Sequence, residues 1–224
     1  MNIAHIAQFM SLNRLFFILL TILLFGCEDN MTSDSQFNKV SSYQDDDIVT
    51  IWGIDFSINN TTIIDLRKNQ LPGAMEIPSK ISKLKNLTHL NLSWNKLKGE
   101  IPSEIGLLTN LVSLNLEGNQ IEGQIPSTIS DLILLEKLNL SWNKLSGSIP
   151  STVSLLSNLK SLSFAYNNLS GNIPNLICDL NIDFEKNWCD DHSSYEFIEY
   201  NKFCPPYPSC IANSVRQQDL SNCN

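Results

Sequence analysis

Acid–base, nucleophilic and metal chemistry each need particular side chains close together, and this chain offers few of them. Beyond its first 26 residues it has two histidines, His89 and His192. No Ser, His and Asp stand at triad spacing, no glycine-rich phosphate loop is present, and the carboxylates form no evident acid/base couple. The run Asp190-Asp191-His192 has the residue types of a metal site, but it reads as a solvated loop. Asp45-Asp46-Asp47 likewise reads as solvated chain. The expectation is no enzyme, no metal and no cofactor.

Two other side-chain classes are placed with more order. Asn95, Asn119, Asn143 and Asn167 are spaced by 24 residues, and so are Trp94, Gly118, Trp142 and Tyr166 just before them. An asparagine amide both donates and accepts, so a buried column of them can satisfy backbone groups that a turn would orphan. A column of exposed aromatics can grip a partner.

The elements that must position these columns follow the same period. Leu87, Leu111, Leu135 and Leu159 repeat every 24 residues, as do Leu90, Leu114, Leu138 and Leu162. Gly99, Gly123, Gly147 and Gly171 follow, then the Ile-Pro pairs ending at Pro102, Pro126, Pro150 and Pro174. An earlier copy carries Ile64, Leu66, Asn69 and Leu71, with two extra residues before Pro78. A later, degenerate copy is read at Ile182, Phe184 and Asn187. In each Leu-x-Leu a short strand turns leucines inward and polar side chains outward. One coil cannot bury its leucines alone, so several must stack.

This pattern resembles the leucine-rich repeat family. The string LxxLxLxxNxLxGxIP resembles its plant-type subclass, known from plant receptor kinases and polygalacturonase-inhibiting proteins. Trp52-Gly53-Ile54-Asp55-Phe56 resembles that subclass's N-terminal cap, with Phe56 where the cap has a cysteine. The resemblance implies an α/β-type solenoid. It is a right-handed superhelix with a parallel sheet on the concave face and irregular or 3₁₀ segments on the convex face. The repeats are read over 61–187, about five plus the degenerate one, with an N-terminal cap at 48–60.

The chain begins differently. Leu15 to Phe25 is an apolar run after Arg14, too short to span a bilayer and suited to an export signal over 1–26. Leu24-Phe25-Gly26-Cys27 resembles the lipobox of bacterial lipoproteins, which makes Cys27 a lipidated first residue. Met10 is an alternative start. Residues 28–47 are polar, acidic and aperiodic and read as a disordered tether after Cys27. The remaining cysteines, Cys178, Cys189, Cys204, Cys210 and Cys223, lie late. In an exported chain they read as disulfide staples of a C-terminal cap over 188–224. Five thiols cannot all pair within one monomer, and the pairing is left open; Cys189, at an inward position, is a candidate free thiol.

The net charge is −8 with 17 % charged residues, which excludes the basic footprint of a nucleic-acid binder. The expected function is therefore a non-catalytic, surface-anchored module, monomeric and held on the cell envelope by its lipid, on a bacterial outer surface. It would bind an extracellular protein or glycan through the concave face. A structural adhesin without a discrete ligand and a secreted inhibitor of polysaccharide-degrading enzymes are the other readings. The candidate ligand residues are His89, Asn91, Trp94, Asn115, Glu117, Gly118, Lys137, Asn139, Trp142 and Tyr166. Two indoles rooted about 10 Å apart across Gly118 would wall an open slot for a sugar ring or partner side chain. The three asparagines would serve beside it as donors and acceptors. The nearby charges, Glu117, Glu136, Lys137 and Lys160, are of mixed sign, so binding there should depend mildly on salt.

Overall fold

The computed structural model describes residues 47–182, 197–212, 215, 217–221 and 223. The first elements form an antiparallel hairpin, β1 (Ile48–Ile51) and β2 (Ile54–Ser57). Its turn is Trp52-Gly53, both with positive φ, the conformation whose twist suits a two-residue hairpin. Five short parallel strands then stack in order: β3 (Ile63–Asp65), β4 (His89–Asn91), β5 (Ser113–Asn115), β6 (Lys137–Asn139) and β8 (Ser161–Ser163). Their registers are in step, so Ile64, Leu90, Leu114, Leu138 and Leu162 form one row, and all five are buried.

Each coil returns through a 3₁₀ turn on the opposite side: Ser79–Lys83, Ser103–Leu107, Ser127–Asp131, Ser151–Leu155 and Asn175–Asp179. Pro78, Pro102, Pro126, Pro150 and Pro174 precede them with φ between −59° and −78°. Proline presets that angle, and its missing donor costs nothing at a helix start. A second parallel sheet, β7 (Ser146–Gly147), β9 (Asn168–Gly171) and β10 (Lys202–Phe203), ties the later coils together beside the main one. Between strands and turns lie the leucine and isoleucine columns, nearly all fully buried. Each such side chain contributes about 1.5–3 kcal/mol when withdrawn from water. The architecture is a leucine-rich-repeat solenoid with the main parallel sheet on its concave face.

The asparagine column is the internal wiring. Oδ1 of Asn95, Asn119, Asn143 and Asn167 accepts the N–H of Leu71, Leu97, Ile121 and Leu145, one coil back, at 3.0–3.2 Å. Each Nδ2 donates to carbonyls of its own coil and the preceding one. Asn69 stands at the same register but is exposed, with φ 59°. Among the described residues only the hairpin precedes it and no earlier coil of this type, so its amide meets no carbonyls of a previous rung there.

At the other end the next rung among the described residues is Asn201; Phe184 and Asn187, read as a degenerate copy four residues short of the 24-residue period, lie outside the described residues. Asn201 accepts Leu169 N–H at 3.0 Å and donates to the carbonyls of Phe164 and Ile198. The coil Phe197–Asn201 extends the sheet: N–H groups of Phe164, Tyr166 and Asn167 donate to Phe197, Glu199 and Tyr200. The last coil thus arrives 34 residues after Asn167 and comes from the segment read as cap. Gln218 then closes the ladder. Its Oε1 accepts Phe203 N–H at 3.2 Å and its Nε2 donates to Ile198 at 2.9 Å. Those are the two bonds a further asparagine rung would make, reached by a side chain one methylene longer.

The cap is stapled by Cys178–Cys210 and Cys204–Cys223. Cys189 lies outside the described residues, as do Cys27, the signal and most of the tether, up to residue 46. Among the described residues no helix is long and apolar enough to cross a membrane. Nor does any group of three His, Cys, Asp or Glu gather to hold a metal.

Candidate binding face

The concave sheet offers two rows of outward side chains. The first runs Ile63, His89, Ser113, Lys137 and Ser161. Ile63, His89 and Lys137 are exposed, and the His89 Nδ1 pairs only with the neighbouring Thr88 hydroxyl, at 2.9 Å. The second row, Asp65, Asn91, Asn115, Asn139 and Ser163, is mostly committed to the fold. Asn91 Oδ1 accepts from both the N–H and the hydroxyl of Ser93, and Asn139 Oδ1 does the same for Ser141. Asn115 Oδ1 accepts the N–H of Glu117. Asn139 is only 7 % exposed, and its Nδ2 donates to Glu117 Oε2 at 3.1 Å. The amide oxygens of the three asparagines expected as ligand donors and acceptors brace the strand ends, because an Asn two residues before an N–H folds back onto it. Glu136 is bonded to Lys160 at 2.7 Å, which removes both from the list of free charges.

Burial raises the Glu117 pKa above the ordinary glutamate value, and the bond from Asn139 offsets this in part. A raised folded-state pKa means the native chain holds this proton to higher pH than the unfolded chain. The resulting stability is full below the unfolded pKa and is lost as pH rises through the folded one. Glu117→Gln retains an acceptor for Asn139 and should flatten this slope. Urea midpoints measured across the mildly acidic range would show it, and an unchanged slope would refute it.

The column at the strand ends differs most from expectation. Lys68, Trp94, Gly118, Trp142, Tyr166 and Tyr200 all have positive φ, between 53° and 67°. A side chain in this conformation leans along the stack toward the next coil. The Trp94 indole lies over Gly118: a Cβ built there would stand 2.6 Å from its Cε3. Trp142 and Tyr166 stack at 3.7 Å and 17°, Tyr166 and Tyr200 at 4.1 Å and 15°. Trp94 and Trp142 approach to 6.5 Å at 40°. The slot expected across Gly118 is thus filled by Trp94, and Trp142, Tyr166 and Tyr200 stack face to face in turn. The strip stays open to solvent, with Trp94 46 %, Trp142 45 % and Tyr200 42 % exposed. Sequence reasoning missed Tyr200, although Tyr200-Asn201 repeats the dipeptide Tyr166-Asn167; the 34-residue gap hid it.

Gly118→Ala should unseat the Trp94 indole and impose a left-handed angle on a residue that resists it. We expect a loss of about 1–2 kcal/mol together with a changed near-ultraviolet aromatic circular dichroism. An unaltered spectrum would show that Trp94 does not rest on Gly118.

The family model for the Leucine Rich Repeat matches residues 86–108, 110–132, 134–156 and 158–180. No curated protein matches the chain in sequence. Among solved structures, the chain resembles one from the BIR3–SERK2 complex of Arabidopsis thaliana. Identity is 36 %, with 70 % of this chain and 74 % of that one covered and a TM-score of 0.54. The BIR2 ectodomain from Arabidopsis thaliana is 36 % identical over 65 % of this chain and 70 % of that one, with a TM-score of 0.52. The Arabidopsis receptor kinase HAESA, solved with the peptide hormone IDA and the co-receptor SERK1, is 30 % identical with a TM-score of 0.57. That match covers 68 % of this chain and 23 % of HAESA's. Repeat pattern, parallel concave sheet, asparagine ladder and these likenesses agree: the chain belongs to the leucine-rich repeat family.

Proposed function

We propose that this protein is a non-catalytic binding module, held at the cell surface by a lipid on Cys27, that recognises an extracellular protein or peptide through its concave side. The observation that carries this reading is the exposed aromatic strip Trp94–Trp142–Tyr166–Tyr200 at the edge of the concave sheet. Exposed large aromatics in contact with one another mark partner sites, and Trp and Tyr dominate binding hot spots. His89 and Lys137 lie on the same side, with side chains the fold does not consume. A protein partner is favoured over a glycan because stacking among Trp142, Tyr166 and Tyr200 covers ring faces that a sugar would need. The complexes of BIR3 with SERK2 and of HAESA with a peptide hormone support the same reading.

Photo-crosslinking on intact cells tests it. A benzophenone side chain at position 94 or 137 should yield protein adducts. The same probe at the exposed convex residue Leu107 should not. Adducts from 107 alone would sink the concave-side reading, and glycan adducts from 94 would turn it toward the sugar alternative. Anchoring is tested separately by mass spectrometry of the mature N-terminus, where an acylated Cys27 is expected and an unmodified terminus elsewhere would overturn it.

A further inference from the structure

A row of lysines runs beside the aromatic strip. Two residues beyond the ring column, one position after each rung, stand Lys96, Gln120, Lys144 and Asn168, all exposed. Lys68 occupies the column itself, one coil before Trp94. The ion pairs found among the described residues are Arg67–Asp65 and Lys160–Glu136, so Lys68, Lys96 and Lys144 are unpaired. Lys202 continues the row but is drawn to Asp219. Three uncompensated cations on one edge stand out in a chain of net charge −8.

We propose that this edge, Lys96 and Lys144 beside Trp94 and Trp142, docks an extended acidic peptide segment with carboxylates at every third residue. This deepens the reading above, on which it rests, by naming the partner's chemistry. Charge complementarity selects the acidic class. Spacing selects the conformation. Lys96 and Lys144 are two coils apart, about 10 Å at ~4.8 Å per strand. A polyproline-type chain has three residues per turn and rises ~3.1 Å per residue, so one face repeats after about 9.3 Å. Acidic residues three apart therefore meet both lysines. The other faces of such a chain lay proline or aliphatic side chains against aromatic edges, a recognised mode for extended ligands. The exposed amides of Gln120, between the two lysines, and Asn168, one coil beyond Lys144, can pair with its peptide groups.

The test uses the complete exported chain and a fluorescein-labelled Glu-Pro-Pro repeat peptide. Controls are a Lys-Pro-Pro repeat, a peptide of the same composition with its glutamates blocked together, and an acidic oligouronide. The Glu-Pro-Pro peptide should bind best, and raising salt from about 50 mM to about 500 mM should weaken it by about tenfold or more. Lys96→Glu with Lys144→Glu should cost at least about tenfold in affinity without moving the melting temperature, because neither side chain is bonded. Trp142→Ala should weaken binding while keeping the salt dependence. Equal binding of the blocked peptide, preference for the oligouronide, or indifference to the charge reversal would each overturn the proposal. If the peptide fails while crosslinks still form from position 137, the concave-side reading stands and only the acidic segment is refuted.

Discussion

Asn167→Ala should cost about 3 kcal/mol or more, whereas Asn69→Ala should cost only about 1 kcal/mol, although both occupy the same column of the repeat. Asn167 is buried, and its amide satisfies Leu145 N–H and the carbonyls of Leu140, Phe164 and Ala165 at 3.0–3.2 Å. Alanine removes the donor and the acceptor together, and an orphaned buried polar group costs about 1–3 kcal/mol each. No water enters a packed solenoid interior easily to replace them. Asn69 is exposed, so its loss orphans no buried group and costs only the left-handed angle, φ 59°, which alanine adopts less readily than asparagine. Urea unfolding with an unchanged m-value would measure both. Comparable losses would show that the column acts through local turn preference and not through bonds between coils.

Loss of the Cys178–Cys210 bridge should be as damaging, and it should act from one end. The bridge joins the last 3₁₀ turn to the cap across a separation of 32 residues. Opening a loop of that length restores enough chain entropy to the unfolded state to lower stability by about 3–4 kcal/mol. The coil Phe197–Asn201 covers the open end of the leucine columns, so its release exposes Phe164 and Leu169, both fully buried. In Cys178→Ser with Cys210→Ser, hydrogen exchange should rise first at Phe203 and Leu169, while Leu90 and Leu114 keep their protection. Simultaneous loss in all coils would mean the solenoid melts as one unit and the cap is not its weak end. The Cys204–Cys223 bridge, with a separation of 19 residues, holds Gln218 against Phe203 and should show a smaller effect of the same kind.

The solenoid, its inward leucine columns and the placement of Asn95, Asn119, Asn143 and Asn167 were legible in the repeat period alone. A 24-residue period allows only one arrangement in which every apolar column is shared between neighbours. It determined equally that Trp94, Trp142 and Tyr166 share one column. Where that period breaks, counting fails. Asn69 keeps its register without the preceding coil that would bury it. The last rungs, Asn201 and Gln218, come from a segment whose spacing belongs to no repeat, because a cap must satisfy the terminal backbone with whatever side chain reaches. Which cysteines meet, Cys178 with Cys210 and Cys204 with Cys223, is decided by how the cap folds over the open end, and linear spacing carries no trace of it. Tertiary structure also decided what the aromatic column does. Trp94 closes the gap over Gly118, and Trp142, Tyr166 and Tyr200 stack on one another. Only that packing could show it, since sequence fixes where a ring is rooted but not the direction in which it leans.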